Sequence, residues 1–215
     1  MLIIESMQRL MVMNNIPFTI EEERVLREMK IGKISSLKEM PEQNIARYIK
    51  KAIETGYALI DAKAVYRTFK LVKKDGSLPG LEQAPGFFFG KKIAEILNKC
   101  DYVTLMLTTI GPALPDMADK LQKTEATDSF YLEHVGGWMA DYLADRVEDK
   151  ISHEAAKNGY GLSMRYSPGY GDWTLDAQPK LLEILESEKI GVCLSDTLIM
   201  IPRKSVSAAI GWEPK

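Results

Sequence analysis

Residues 164–171, Met-Arg-Tyr-Ser-Pro-Gly-Tyr-Gly, gather several kinds of chemistry at one point of the backbone. Arg165 carries a planar fork of donors that matches a carboxylate through two parallel hydrogen bonds. Pro168-Gly169 forces a turn, and glycine lets the main chain come close to a ligand. Tyr166 and Tyr170 add flat apolar surfaces with polar tips. Together these groups suit a small zwitterion with an aromatic part. The same residue types also fit a surface turn flanked by tyrosines, and the motif alone leaves both readings open.

Other chemistry is missing. The chain has two histidines, His134 and His153, and no Cys-x-x-Cys pair. His153-Glu154 is followed by Lys157, where a metalloprotease helix needs its second histidine. No Gly-x-x-x-x-Gly-Lys phosphate loop, Gly-x-Gly-x-x-Gly run or Gly-x-Ser-x-Gly elbow occurs. His134 borders an apolar helical stripe, which favours a structural role over a catalytic one. These observations argue against a self-contained hydrolase or dehydrogenase and give no catalytic residue and no metal ligand.

Composition narrows the class. Of 215 residues, 46% are hydrophobic and 27% charged, as in a globular protein. A net charge of −2 and scattered Lys and Arg give no footprint for nucleic acid or an anionic membrane. No apolar run approaches the roughly 18–20 residues that span a bilayer, and Met1-Leu-Ile-Ile-Glu-Ser lacks the basic start of a signal peptide. Cys100 and Cys193 each adjoin an apolar strand-like segment, which predicts two buried free thiols in a reducing cytoplasm. One domain over residues 1–215 is the expected organisation.

The elements that must position the motif follow from periodicity. Thr19 and Glu22 form a capping-box pattern ahead of a helix bearing Val25, Leu26 and Met29. Pro41 is placed to start a second helix through Ile45, Ile49 and Ile53. Residues 64–72 alternate as a strand and lead to a turn at Asp75-Gly76. Gly86-Phe-Phe-Phe-Gly90 is a further strand candidate, followed by a short helix through Ile93, Ile96 and Leu97. Residues 102–110 read as a buried strand, and a helix with Leu114, Met117 and Leu121 follows Gly111-Pro112.

Residues 127–156 hold the longest helical stripe, from Phe130 through Val135, Met139, Leu143 and Val147 to Ile151. Gly136-Gly137 interrupts it at a cost of about 1 kcal/mol per glycine, which marks a close approach by another helix or by a ligand. Tyr160, Leu162, Met164 and Tyr166 alternate onto one face of a strand entering the motif. A helix over 175–187 follows, with Pro179 tolerable only near its first turn. Residues 191–194 and 197–201 are strand-like, and Ser205–Ile210 closes the pattern. Helices and strands mix irregularly, which predicts α+β with a central, largely antiparallel sheet surrounded by helices.

The run Arg165-Tyr-Ser-Pro-Gly-Tyr-Gly-Asp-Trp, then Lys189-Ile-Gly-Val, Leu198-Ile-Met-Ile-Pro202 and Lys204-Ser-Val-Ser-Ala208, resembles a known family. It is similar to the activation domain of cobalamin-dependent methionine synthase, in the stand-alone form some bacteria carry. Thr108-Thr-Ile-Gly111 and the helix with Gly136 and Leu143-Ala-Asp-Arg146 fit as well. The resemblance spans about residues 15–212 and is most specific over 128–210.

It implies an accessory module of methionine biosynthesis, not a complete enzyme. Such a module binds S-adenosylmethionine and presents its methyl group for reductive methylation of cob(II)alamin, with an electron from flavodoxin or another reductant. Arg165 would bind the ligand carboxylate, the backbone around Ser167, Pro168 and Gly169 the adenine, and Tyr170 would border it. A glutamate that contacts the ligand in the family falls on Gly137, and Asp141, one turn later, is its candidate substitute. No Asp-x-His-x-x-Gly cobalamin motif occurs, so the corrinoid would sit on a partner, a methionine synthase or another corrinoid methyltransferase protein. A non-catalytic module that caps a corrinoid protein is the alternative implied by the departures.

Overall fold

A computed structural model describes residues 9–29, 36–72 and 79–215. The turn expected at Asp75-Gly76 lies outside the described residues. The centre is a five-stranded sheet in the order β1-β2-β3-β7-β4, with every neighbouring pair antiparallel. Its strands are β1 (Met11–Met13), β2 (Lys63–Lys70), β3 (Tyr102–Thr109), β4 (Tyr160–Leu162) and β7 (Ser205–Pro214). A small hairpin of β5 (Cys193–Leu194) and β6 (Met200–Ile201) stands apart from it. The helices are α1 (Glu22–Glu28), α2 (Gln43–Leu59), α3 (Lys91–Leu97), α4 (Ala113–Leu121), α5 (Ala126–Lys157) and α6 (Gln178–Ile184). The α+β expectation is met.

All eight residues of β3 are buried because both sheet faces are covered. On one face, Tyr66, Met106, Ile210 and Trp212 pack under Val147, Ile151 and Ala155 of α5. On the other, Val65, Leu105 and Ala209 meet Phe88, Trp173 and Leu181. The first half of α5 leaves the sheet and packs with α2 and α4 around Ile49, Leu114 and Met139.

The glycine pair within α5 has two roles. A Cβ on Gly136 would stand 2.4 Å from Leu114 Cδ2, so this glycine permits the close crossing of α4 and α5. A Cβ on Gly137 would meet nothing nearer than Lys204 Nζ at 3.7 Å.

Several local expectations change. Helix α1 begins after Glu21 with no side-chain cap, so the Thr19 capping box does not form. The Glu22 carboxylate instead accepts from Ser36 Oγ and Leu37 N, a tertiary contact that replaces the local one. Helix α2 starts at Gln43, two residues beyond Pro41. Residues 86–90 are not a strand: Gly86 and Gly90 have positive φ, and Phe87 and Phe88 turn into the core against Trp173. Cys100 is buried, but Cys193 is exposed on the small hairpin, which has only one neighbouring strand to cover it.

Candidate functional site

The strand leading to Arg165 changes character within a few residues. Tyr160 and Leu162 pack on the α5 side of the sheet, whereas Tyr166 stacks on Trp173 at 6.3 Å and joins the opposite core. Met164 is 60% exposed, so the four alternating residues do not share one face. Ser163 accounts for the break, because its hydroxyl accepts from Gly211 N in place of a regular ladder bond. Tyr166 then exchanges two backbone hydrogen bonds with Ala209 on β7, which anchors the turn to the sheet.

Internal bonds fix the shape of the turn. Gly169 N donates to Trp173 O at 2.7 Å, and Tyr166 Oη donates to Tyr170 O at 3.0 Å. Gly169 has φ +94 and sits 3.0 Å from Leu175 Cδ2 through an added Cβ, a place only glycine fills without strain. Asp172, just past the turn, accepts from Lys91 N and Lys92 N at the start of α3. These hydrogen bonds hold its carboxyl below the usual range.

Two cavities open beside the turn. One, of about 290 Å³, is lined by Arg24, Glu28, Trp138, Asp141, Asp145 and Arg165. The other, of about 340 Å³, is lined among others by Asp141, Ser167, Pro168, Tyr170, Gln178 and Met200. Asp141 belongs to both. The first is charged, with two guanidinium groups facing three carboxylates. Apart from Asp141 and Arg203, the second is walled by hydroxyl, amide and apolar groups, and Tyr170 at 68% exposure stands in its wall. A larger hollow of about 800 Å³ near Lys70, Lys180 and Glu186 contains none of the turn residues.

The charged cavity is strongly coupled. Arg165 Nη1 lies 3.0 Å from Asp145 Oδ1 and donates to Glu148 Oε2 at 2.9 Å. Arg24 pairs with Asp145 at 2.6 Å and covers the Tyr142 ring at 4.7 Å. Burial pushes the Glu148 carboxyl up, with Arg165 opposing and Asp145 and Asp149 adding to the rise. Asp141 stays reachable from solvent through the cavities, yet surrounding protein shields its carboxyl and raises its pKa. Arg165 and Arg24 oppose that shift, and Asp145 and Glu28 reinforce it.

Among the residues singled out in the sequence, Asp141, Arg165, Ser167, Pro168 and Tyr170 line the two cavities. Gly169 shapes the turn from behind, and Gly137 faces Lys204. His134 is exposed, with Nδ1 2.8 Å from Phe130 O and its ring against Phe130. Gln178, Asp145 and Glu148 carried no local signal, because each is recognisable only once α5, α6 and the turn meet.

Arg203 also lines the second cavity but is committed elsewhere. It clamps Asp119 with two 2.8 Å bonds and reaches Glu133 at 3.0 Å, tying the β6–β7 connection to α4 and α5. Burial works to raise the Glu133 carboxyl, but bonds from Arg203 and Lys204 hold it below the usual range.

No protein-family profile matches the chain. Over 150 residues it is 27% identical to the methionine synthase of Mycobacterium tuberculosis (strain ATCC 25618 / H37Rv), a stretch covering 60% of this chain and 12% of that protein. The solved structure of the MetH reactivation domain bound to AdoHcy superimposes with a TM-score of 0.70. That match covers 96% of this chain and 79% of the other, at 14% sequence identity. The fold is therefore that of a methionine synthase reactivation domain. The chain is similar to that domain of methionine synthase, as the Arg165–Trp173 run indicates.

Proposed function

We propose that this protein binds S-adenosylmethionine in the paired cavities and serves as an activation module for a corrinoid methyltransferase. The observation that carries this reading is the junction at Asp141 of a charged cavity with a turn-walled one of mostly uncharged groups. S-adenosylmethionine has a carboxylate, an ammonium and a sulfonium at one end and a flat base at the other. The charged cavity offers guanidinium donors for the carboxylate and acidic groups for the two cations. The turn-walled cavity offers Tyr170, Pro168 and the backbone around Ser167 for the nucleoside. The AdoHcy held by the reactivation domain of the same fold supports this choice of ligand.

When bound, the ligand supplies an electrophilic methyl group for cob(II)alamin held on a partner, with one electron from flavodoxin or another reductant. The chain's own residues do the binding and the aiming. Arg165 fixes the amino-acid end, and Asp141 offers negative charge at the cavity junction. Tyr170 borders the opening on the solvent side. The partner would be a cobalamin-binding methionine synthase or another corrinoid methyltransferase protein in the cytoplasm.

Calorimetric titration with S-adenosylmethionine tests the reading. Arg165→Ala should weaken binding by about 1.5–3 kcal/mol, the worth of a hydrogen bond to a charged group. The pairing of Arg165 with Asp145 and Glu148 favours a second reading, a module that caps a corrinoid protein without this ligand. No heat of binding at millimolar ligand would decide for the cap and against the activation role.

A further inference from the structure

The turn-walled cavity contains a polar side chain that ligand binding as described above leaves unused. Gln178 is 3% exposed, yet it forms part of the cavity wall. Ser207, itself 2% exposed, donates from Oγ to Gln178 Oε1 at 2.9 Å. That bond engages the carbonyl end and leaves the amide nitrogen as the free end of the side chain. Among the described residues the Gln178 nitrogen has no hydrogen-bond partner. It is also not sealed in, since among the described residues the unpaired side-chain atom buried from all solvent is Thr108 Oγ1. The open space that Gln178 lines is the cavity. Buried polar groups are nearly always paired, so this donor points to an acceptor supplied from outside the chain.

The chemistry of the walls says which acceptor. Arg24, Arg165, Glu28 and Asp145 lie on one side of Asp141, whereas Arg203 on the other side is tied to Asp119 and Glu133. The amino-acid end of the ligand therefore belongs on the first side. Ribose hydroxyls are donors, and the Asp141 carboxylate at the junction accepts. The purine then occupies the cavity of Ser167 and Gln178, and its ring nitrogens are acceptors that need a donor. Ser205 Oγ is already engaged with Pro202 O and Thr109 Oγ1, and Ser207 Oγ with Gln178.

We propose that Gln178 is the base-recognition residue of this cavity: its amide N–H donates to a ring nitrogen of adenine, and Ser207 holds the amide in that orientation. The inference rests on the ligand assignment above and adds a residue that reads the base.

Titrating S-adenosylhomocysteine and its 1-deaza, 3-deaza and 7-deaza analogues into wild type and Gln178→Met tests it. Gln178→Met, close in shape but without the donor, should bind S-adenosylhomocysteine roughly tenfold more weakly. One deaza analogue should lose a similar factor on wild type and nothing further on Gln178→Met. Unchanged affinity in a Gln178→Met protein that still melts cooperatively overturns the assignment. If that variant does not fold, the wild-type series decides, and equal affinity for all three deaza analogues overturns it. Wild type that binds no S-adenosylhomocysteine at millimolar concentration overturns both this inference and the ligand assignment. Wild-type binding that ignores both the Gln178 change and the deaza series overturns this inference alone.

Discussion

Asp145 holds two arginines from different parts of the chain, Arg24 at 2.6 Å and Arg165 at 3.0 Å. The Arg165 side chain is 21% exposed, so it remains reachable from the cavity it lines. A ligand carboxylate that takes Arg165 must therefore share it with, or displace, Asp145 and Glu148. Binding and the α5-to-turn contact are coupled through one guanidinium group.

Replacing Asp145 tests that coupling. Asp145→Asn removes a competing anion and should tighten any ligand carboxylate contact at Arg165 while loosening Arg24. Calorimetry should show tighter binding of S-adenosylhomocysteine, and an unchanged or weaker affinity would mean that Asp145 positions Arg165 for the ligand.

Asp141 gives a pH dependence whose sign follows from its raised pKa. Between the ordinary aspartate value of about 4 and the higher folded value, the native state binds more protons than the unfolded one. Stability from this group therefore rises as pH falls through that window. Melting temperatures measured from neutral pH downward should shift in favour of wild type over Asp141→Asn. Affinity for the sulfonium ligand should move the opposite way, falling relative to neutral-sulfur S-adenosylhomocysteine as Asp141 is protonated.

Asp172 has the reverse sign. Backbone N–H groups of Lys91 and Lys92 depress its pKa, so its stabilisation is present at neutral pH and lost as pH falls through the depressed value. The melting-temperature gap between wild type and Asp172→Asn should be open at pH 7 and close in acid.

The glycine pair of α5 should respond in opposite directions. Gly136→Ala drives a methyl to within 2.4 Å of a Leu114 carbon and should cost about 1–3 kcal/mol by overpacking. Gly137→Ala meets nothing closer than 3.7 Å and should gain up to about 1 kcal/mol from helix propensity. Chemical denaturation of the two variants checks both, and similar shifts of one sign would refute the assignment.

Local pattern accounts for much of the fold. The apolar stripe from Phe130 to Ile151 foretells α5, and the β-former run 102–110 foretells the central strand, because burial imposes a period that residue types display. Pro179 sits in the first turn of α6 as its missing N–H requires. The failures have physical causes of another kind. Phe87 and Phe88 look like strand residues, but they are buried by Trp173, a partner far along the chain. Tyr166 leaves the face of Leu162 because Ser163 replaces a ladder bond.

The cavity residues divide along the same line. Arg165, Ser167, Pro168 and Tyr170 were legible because a donor fork, a turn and aromatic rings occur together in one short run. Their resemblance to a methionine synthase activation domain pointed to the fold that the structure shows. Only tertiary packing decided that Asp145 and Glu148 grip Arg165, that Asp141 joins two cavities, and that Ser207 on β7 engages the Gln178 carbonyl at the wall of one of them. Conformational preference is encoded residue by residue, whereas a charge pair or an oriented amide exists only after helices and strands distant in sequence have been brought together.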